Sequence, residues 1–235
     1  MRLFCFPNAG GSARTYRDWG KSLPEEYEVC AVQLPGREAR LLEPAYKRLA
    51  PLVEDLTSVL RPYLDRPFAL FGHSMGAKIA FETARRLRAE YGLEPSHLFV
   101  SGCRGPRISK TDGISYDLPE PEFIEDLRRL NGTPQEVFEH SELMQLMLPL
   151  LRSDFELVQT YTYRPGPALD CPLTAFGGLQ DEDVTRENLD AWRQETNGHF
   201  ALHMLPGDHF FVNSERPRLL GLLAEGLQRH ECVAR

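Results

Sequence analysis

Phe71-Gly72-His73-Ser74-Met75-Gly76 is a G-x-S-x-G run, and the stretches on either side of it contrast sharply. Pro67-Phe68-Ala69-Leu70-Phe71 before it is short and apolar, as a buried strand is. After it, Ala77, Ala80, Ala84 and Leu87 recur at helical spacing, which predicts a helix over 77–87. A serine on a tight turn between strand and helix is the setting of a nucleophile elbow. The flanking glycines let the backbone bend, because a Cβ at either position would collide with the neighbouring strand or helix. Alone, the run also fits an ordinary strand-to-helix turn; its flanks favour the elbow.

Strand and helix alternate outward from this point. Leu3 to Phe6 reads as a strand closed by Pro7, and after the loop Asn8-Ala9-Gly10-Gly11, Ser12 can cap a helix carrying Tyr16, Trp19 and Leu23. Val29 to Leu34 reads as a second strand, ended by Pro35-Gly36. Beyond the charged loop Arg37-Glu38-Ala39-Arg40, a helix beginning near Pro51 shows one apolar face through Leu52, Val53, Leu56, Val59, Leu60 and Tyr63. Gly92 is placed to end the helix that follows the elbow, and Leu98 to Ser101 is another strand. This order predicts an α/β protein with a largely parallel sheet covered by helices on both faces.

After Cys103 the rhythm breaks. Residues 104–167 hold no convincing strand but several helical pieces, at Glu122 to Leu130, Gln135 to His140, Glu142 to Leu151 and Ser153 to Tyr161. The rhythm resumes with the strand Leu173 to Gly178, a short helix at Glu187 to Gln194, the strand Ala201 to Leu205, and a closing helix from Pro217 to Gln228. Ligands of open α/β sheets bind beyond the carboxyl ends of the strands, so the helical insertion is expected to roof a site as a lid. The whole chain, 1–235, reads as one domain with that lid subdomain inserted.

Composition narrows the function. A hydrophobic content of 42% and a charged content of 26% are ordinary for a soluble globular protein. A net charge of -7 with no basic tail or stripe argues against nucleic acid as a partner. The five cysteines, Cys5, Cys30, Cys103, Cys171 and Cys232, are scattered without C-x-x-C spacing; free thiols in a reducing compartment and no metal are expected. The sequence opens directly on a strand and no apolar stretch approaches a membrane span, so a cytoplasmic protein with no membrane partner is expected.

Serine at neutral pH is a weak nucleophile and needs a base, which in turn needs an orienting acid. In the α/β-hydrolase arrangement these follow in the order Ser, Asp or Glu, then His, on loops after later strands. Position sorts the seven histidines. His73 adjoins the serine, His97 begins a strand, and His140 lies in the insertion. His199 and His203 lie before and within the last strand, and His230 ends the last helix. His209, in Pro206-Gly207-Asp208-His209-Phe210-Phe211, sits on the turn beyond that strand and is the candidate base. The loop Gly177-Gly178-Leu179-Gln180-Asp181-Glu182-Asp183 offers three carboxylates; Asp181 is nearest the strand end, with Asp183 second. For an oxyanion hole, the N–H of Met75 is one candidate donor, and the loop Asn8–Gly11 is the candidate source of the other.

These residues resemble the type II thioesterases that accompany modular polyketide and non-ribosomal peptide synthetases. The resemblance rests on Phe6-Pro7-Asn8-Ala9-Gly10-Gly11, Gln33-Leu34-Pro35-Gly36-Arg37-Glu38, Gly72-His73-Ser74-Met75-Gly76-Ala77 and Leu151-Arg152-Ser153-Asp154-Phe155, together with the two loops carrying Asp181 and His209. These segments cover nearly the whole chain in order. The resemblance implies an α/β-hydrolase fold, the triad Ser74, Asp181 and His209, and oxyanion donors at Ala9 and Met75. Asn8 stands where many members carry His. The implied activity is removal of stalled or incorrect acyl groups from the phosphopantetheine arm of acyl or peptidyl carrier proteins, by a monomer with no cofactor of its own.

Such a reaction would pass through an acyl-enzyme, and each oxyanion donor would contribute about 3–4 kcal/mol. The departing thiol, with a pKa of about 8.5, leaves far more easily than an alkoxide. Arg14, Arg17, Arg37, Arg40 and Arg104 are candidates for a basic rim that meets acidic carrier proteins. Some of Phe123, Leu127, Leu130, Phe138, Leu143, Leu146, Met147, Leu150 and Phe155 are expected to line an acyl channel, the rest forming the lid's own core. The rival readings are a small-molecule carboxylesterase on the same fold and a non-catalytic docking protein.

Overall fold

The structure is a computed structural model that describes residues 1–108, 115–130 and 138–233, with side chains as far as residue 228. Six strands form one sheet in the order β2-β1-β3-β4-β5-β6, and every pairing is parallel. They are β1 (Arg2–Phe6), β2 (Glu28–Ala31), β3 (Phe68–His73), β4 (His97–Ser101), β5 (Leu173–Gly178) and β6 (Phe200–Leu205). The helices are α1 (Leu49–Leu60), α2 (Met75–Tyr91), α3 (Glu120–Arg129), α4 (Ser141–Gln159), α5 (Arg186–Asp190), α6 (Phe211–Ser214) and α7 (Arg216–Val233), with several 3₁₀ turns between them.

Alternation along the strands builds a core on each face of the sheet. Phe4, Phe6, Phe68, Leu70, Leu98 and Val100 point to one face, where α1 and α2 pack. Leu3, Cys5, Ala69, Phe71 and Phe99 point to the other, against Tyr16, Trp19 and α7. Both faces being covered explains why the central strands read as continuous apolar runs.

Three departures from the sequence reading bear on the loops and the insertion. β2 ends at Ala31 rather than Leu34, although Val32 N–H still reaches Cys5 O at 2.9 Å. Beyond it Gln33 turns to the loops: its Oε1 accepts from Ala13 N–H at 2.9 Å and its Nε2 donates to Arg37 O at 3.0 Å. The segment capped by Ser12 is not an α-helix but two 3₁₀ turns, Ala13–Tyr16 and Trp19–Lys21. Tyr16 ends the first turn and Trp19 begins the second, and their rings meet edge to face with centroids 4.8 Å apart. Finally, the two pieces expected at 142–151 and 153–161 are one helix, α4, which continues through Pro149. Pro149 has no N–H to give the preceding turn, while its own carbonyl accepts from Ser153 Oγ at 2.8 Å.

Between β4 and β5, α3 and α4 share a hydrophobic cluster of Phe123, Leu127, Met144, Leu148, Leu151 and Phe155. The helical piece expected at 135–140 lies outside the described residues except for its last three. Among the described residues, no helix is long and apolar enough to cross a membrane. Cys5, Cys103 and Cys171 are buried free thiols, and Cys30 is half-buried at the sheet edge.

Candidate active site

The elbow forms because two glycines bring β1, β3 and α2 closer than any side chain permits. A Cβ on Gly72 would overlap the Gly76 carbonyl, and one on Gly76 would overlap the carbonyl of Phe6 on β1. Between them Ser74 takes φ 55° and ψ −113°, a strained conformation for a residue with a side chain. Its N–H is held by Ser101 O at 2.7 Å. Met75 opens α2, so its N–H belongs to the first turn, whose donors no helix carbonyl reaches.

His209 lies on the turn after β6 and Asp181 on the turn after β5, and the structure joins them. His209 Nδ1 is 2.7 Å from Asp181 Oδ2. The other carboxylate oxygen, Oδ1, accepts the N–H groups of Asp183 and Val184, each at 3.0 Å. An ionised carboxylate only accepts, so Nδ1 carries the proton, which in the neutral imidazole leaves the lone pair on Nε2. The exposed Asp183 side chain takes no part in this pair. Neighbouring backbone ties the two loops to each other: Gln180 N–H donates to Gly207 O at 2.9 Å, and Leu179 N–H to Leu205 O at 2.8 Å.

Ser74 and His209 line one cavity of about 140 Å³, with Asn8, Ala9 and Met75 in its wall. The insertion contributes Leu127, Leu130, Leu151, Phe155 and Val158 to the same wall. Of the residues expected to line an acyl channel, Leu127, Leu130 and Phe155 line this cavity. Phe123 is fully buried within the helical cluster, and Leu143 and Leu146 face outward.

The loop Asn8–Gly11 is held from a direction the sequence did not disclose. Gly10 N–H donates to Asp154 Oδ2 at 2.8 Å, from the far end of α4. Asp154 is gripped by the Arg37 guanidinium, with contacts of 2.9 and 3.1 Å, and Arg37 also donates to Gly11 O at 2.8 Å. The Ala9 and Met75 N–H groups stand outside this network. Arg37 is thus a buried clasp and not a member of the basic rim; the pair is 5% and 2% exposed. Burial raises the Asp154 carboxyl above its usual range, against the opposing pull of Arg37 and the Gly10 N–H. Of the other proposed rim residues, Arg40 pairs with Glu43, and Arg104 lines the cavity while donating to Asp183 O at 2.9 Å.

His73, set aside because it adjoins the serine, packs its ring 5.2 Å from that of His209. Its Nδ1 is 3.0 Å from Ser101 Oγ. Burial, and secondarily the neighbouring His209, push His73 well below the usual histidine range, so it is neutral. Its ring backs the His209 loop, lying against His209, Phe210 and Phe211.

Residues 1–225 match the family model of the thioesterase domain. The chain belongs to the thioesterase domain family. A Brevibacillus parabrevis protein named linear gramicidin dehydrogenase LgrE is 47% identical over 231 residues, covering 97% of this chain and 88% of that protein. The thioesterase RedJ of the prodiginine biosynthetic pathway in Streptomyces coelicolor is 40% identical with a TM-score of 0.91, over 96% of this chain and 90% of that one. BorB, described as the type II thioesterase of the borrelidin biosynthetic cluster, is 41% identical with a TM-score of 0.88, over 96% and 92%. These likenesses confirm the α/β-hydrolase fold that the resemblance implies.

Proposed function

We propose that this chain is a type II thioesterase that hydrolyses stalled or aberrant acyl groups from the phosphopantetheine arm of carrier proteins in polyketide or non-ribosomal peptide synthesis. The observation that carries the reading is His209, oriented by Asp181 at 2.7 Å, in the same cavity as Ser74. The similarity to BorB and RedJ supports the biosynthetic setting. The name of the Brevibacillus relative suggests a dehydrogenase instead, yet the first strand-to-helix loop here is Asn8-Ala9-Gly10-Gly11-Ser12 and lacks a G-x-G-x-x-G run.

In the proposed reaction Ser74 Oγ attacks the thioester carbonyl as its proton passes to His209 Nε2. Asp181 stabilises the imidazolium that results. The carbonyl oxygen, now an anion, is met by the N–H groups of Ala9 and Met75. The C–S bond breaks, and His209 returns the proton to the departing pantetheine sulfur. Water then attacks the acyl-serine, giving its proton to His209, and the acid leaves as Ser74 recovers the proton. No cofactor takes part in these steps; the pantetheine belongs to the substrate.

The test is hydrolysis of acyl groups from a panel of acyl-carrier proteins by the wild type and Ser74→Ala. Release by the wild type alone, with Ser74 labelled by a serine-directed phosphonate, supports the reading. Equal release by both proteins, or a strong preference for simple oxyesters over carrier thioesters, rejects it.

A further inference from the structure

Lys78 stands one turn along α2 from Ser74, and both line the same cavity. Its ammonium lies over the ring of Tyr161, 4.7 Å from the centroid. A helical lysine ordinarily finds a carboxylate one turn away, and Glu82 is at that position. Glu82 is already engaged, accepting from Tyr161 Oη at 2.6 Å and from Arg85 Nη1 at 2.9 and 3.2 Å. Tyr161 offers no charge in exchange: burial, reinforced by Glu82, pushes its phenol far above the usual range and keeps it neutral. Among the described residues Lys78 forms no ion pair.

The two arginines of the wall each have a partner. Arg104 donates to Asp183 O at 2.9 Å, and Arg129, mostly exposed, pairs with Asp126 at 3.3 Å. Lys78 lines the cavity together with apolar residues such as Cys103, Phe155 and Val158, which offer nothing to an ammonium with three donors to satisfy. An apolar acyl group entering here would strip water from that ammonium and return nothing, which is costly. A second ammonium would be repelled, and more strongly as water is excluded. A carboxylate would satisfy it. The rise along α2 from Ser74 to Lys78 is about 6 Å, so such a group need stand only a few bonds beyond the carbonyl.

We propose that Lys78 forms an anion-recognising subsite in the acyl chamber, favouring acyl thioesters with a carboxylate a few bonds past the carbonyl over neutral and cationic ones. The proposal rests on the thioesterase reading and adds a substrate class to it.

Succinyl-, butyryl- and 4-aminobutyryl-pantetheine are matched in length and differ in terminal charge. The wild type should show kcat/KM in the order succinyl, butyryl, 4-aminobutyryl, with about tenfold between the first two, as one charge-assisted hydrogen bond supplies. Lys78→Met should bring succinyl and butyryl within about twofold, and Lys78→Glu should reverse the order. Hydrolysis with ratios unmoved by either substitution overturns the subsite alone. A common loss on all three substrates also overturns it, because it would place Lys78 against the pantetheine arm. Failure of the wild type on all three and on carrier-bound substrates overturns the thioesterase reading and the subsite with it. Should the variants not fold, product inhibition of the wild type decides: succinate inhibiting about tenfold more strongly than butyrate supports the subsite, and equal inhibition overturns it.

Discussion

Replacing Arg37 by methionine would leave the Asp154 carboxylate 2% exposed and without its two guanidinium contacts at 2.9 and 3.1 Å. One hydrogen bond, from Gly10 N–H at 2.8 Å, would remain. Removing one partner of a buried ion pair costs about 3–5 kcal/mol, because the other charge stays buried and uncompensated. For a protein of this size that is a fall in Tm of about 6–20 °C. Activity should fall too, since Gly11 O loses its donor and the Ala9 N–H is carried by the same loop; a displaced oxyanion donor costs about 10²–10³ in kcat. The double variant Arg37→Met, Asp154→Leu separates the two effects. Two apolar side chains should restore most of the stability, because a buried pair gains little over well-packed hydrophobic residues. They cannot restore the acceptor for Gly10 N–H, so kcat should stay low. Urea denaturation and steady-state kinetics on the three proteins check this. A single variant that loses less than about 1 kcal/mol, or a double variant that recovers kcat together with stability, would show that the clasp does not position the loop.

Asp181→Asn should leave the loops folded while lowering kcat about ten-thousand-fold, because an amide can donate to His209 and favour the wrong tautomer; near-normal kinetics would remove Asp181 from its assigned role. His73 is depressed in the folded state, so its stabilising contribution is present above about pH 6.5 and is lost as pH falls from there towards the lower folded value, by up to about 1.4 kcal/mol per pH unit. Melting curves from pH 7.5 to 5 should therefore flatten in His73→Asn, and an unchanged slope would contradict that origin. In α7, a Cβ on Gly221 meets nothing within 4 Å, whereas one on Gly76 overlaps the Phe6 carbonyl. Gly221→Ala should stabilise by about 0.5–1 kcal/mol and Gly76→Ala should destabilise by 3 kcal/mol or more; urea midpoints of opposite sign check the pair.

What the sequence disclosed was local or ordered along the chain. The elbow, the strand ends and the turn carrying His209 are each written in a few contiguous residues, and chain order then pairs them. Asp181 and Asp183 share one loop, so pattern left both open until the N–H groups of Asp183 and Val184 were seen to cradle Asp181. Arg37 looked like a surface arginine because its partner is 117 residues away, on a helix the sequence pattern cut in two. His73 was dismissed by a rule about sequence neighbours, yet β3 carries it alongside Ser101 and under His209. The missing information was backbone geometry within one loop for Asp181, a loop-to-helix contact for Arg37 and a contact between neighbouring strands for His73, none of which periodicity or motif encodes.

The clasp also changes what the helical insertion does. A roof that merely excluded water could be trimmed or opened without disturbing the chemistry beneath it. Here the C-terminal half of α4 reaches down through Asp154 to the Gly10 N–H, while Leu151 packs against Gly10 so closely that a Cβ there would lie 2.6 Å from its Cδ2. The Asn8–Gly11 loop after β1 is therefore shaped by the insertion as much as by its own glycines. Deleting the insertion would expose the serine and at the same time release the donor meant to stabilise its oxyanion. The access gained would come with an oxyanion hole reduced towards the single N–H of Met75, and the rate would fall rather than rise.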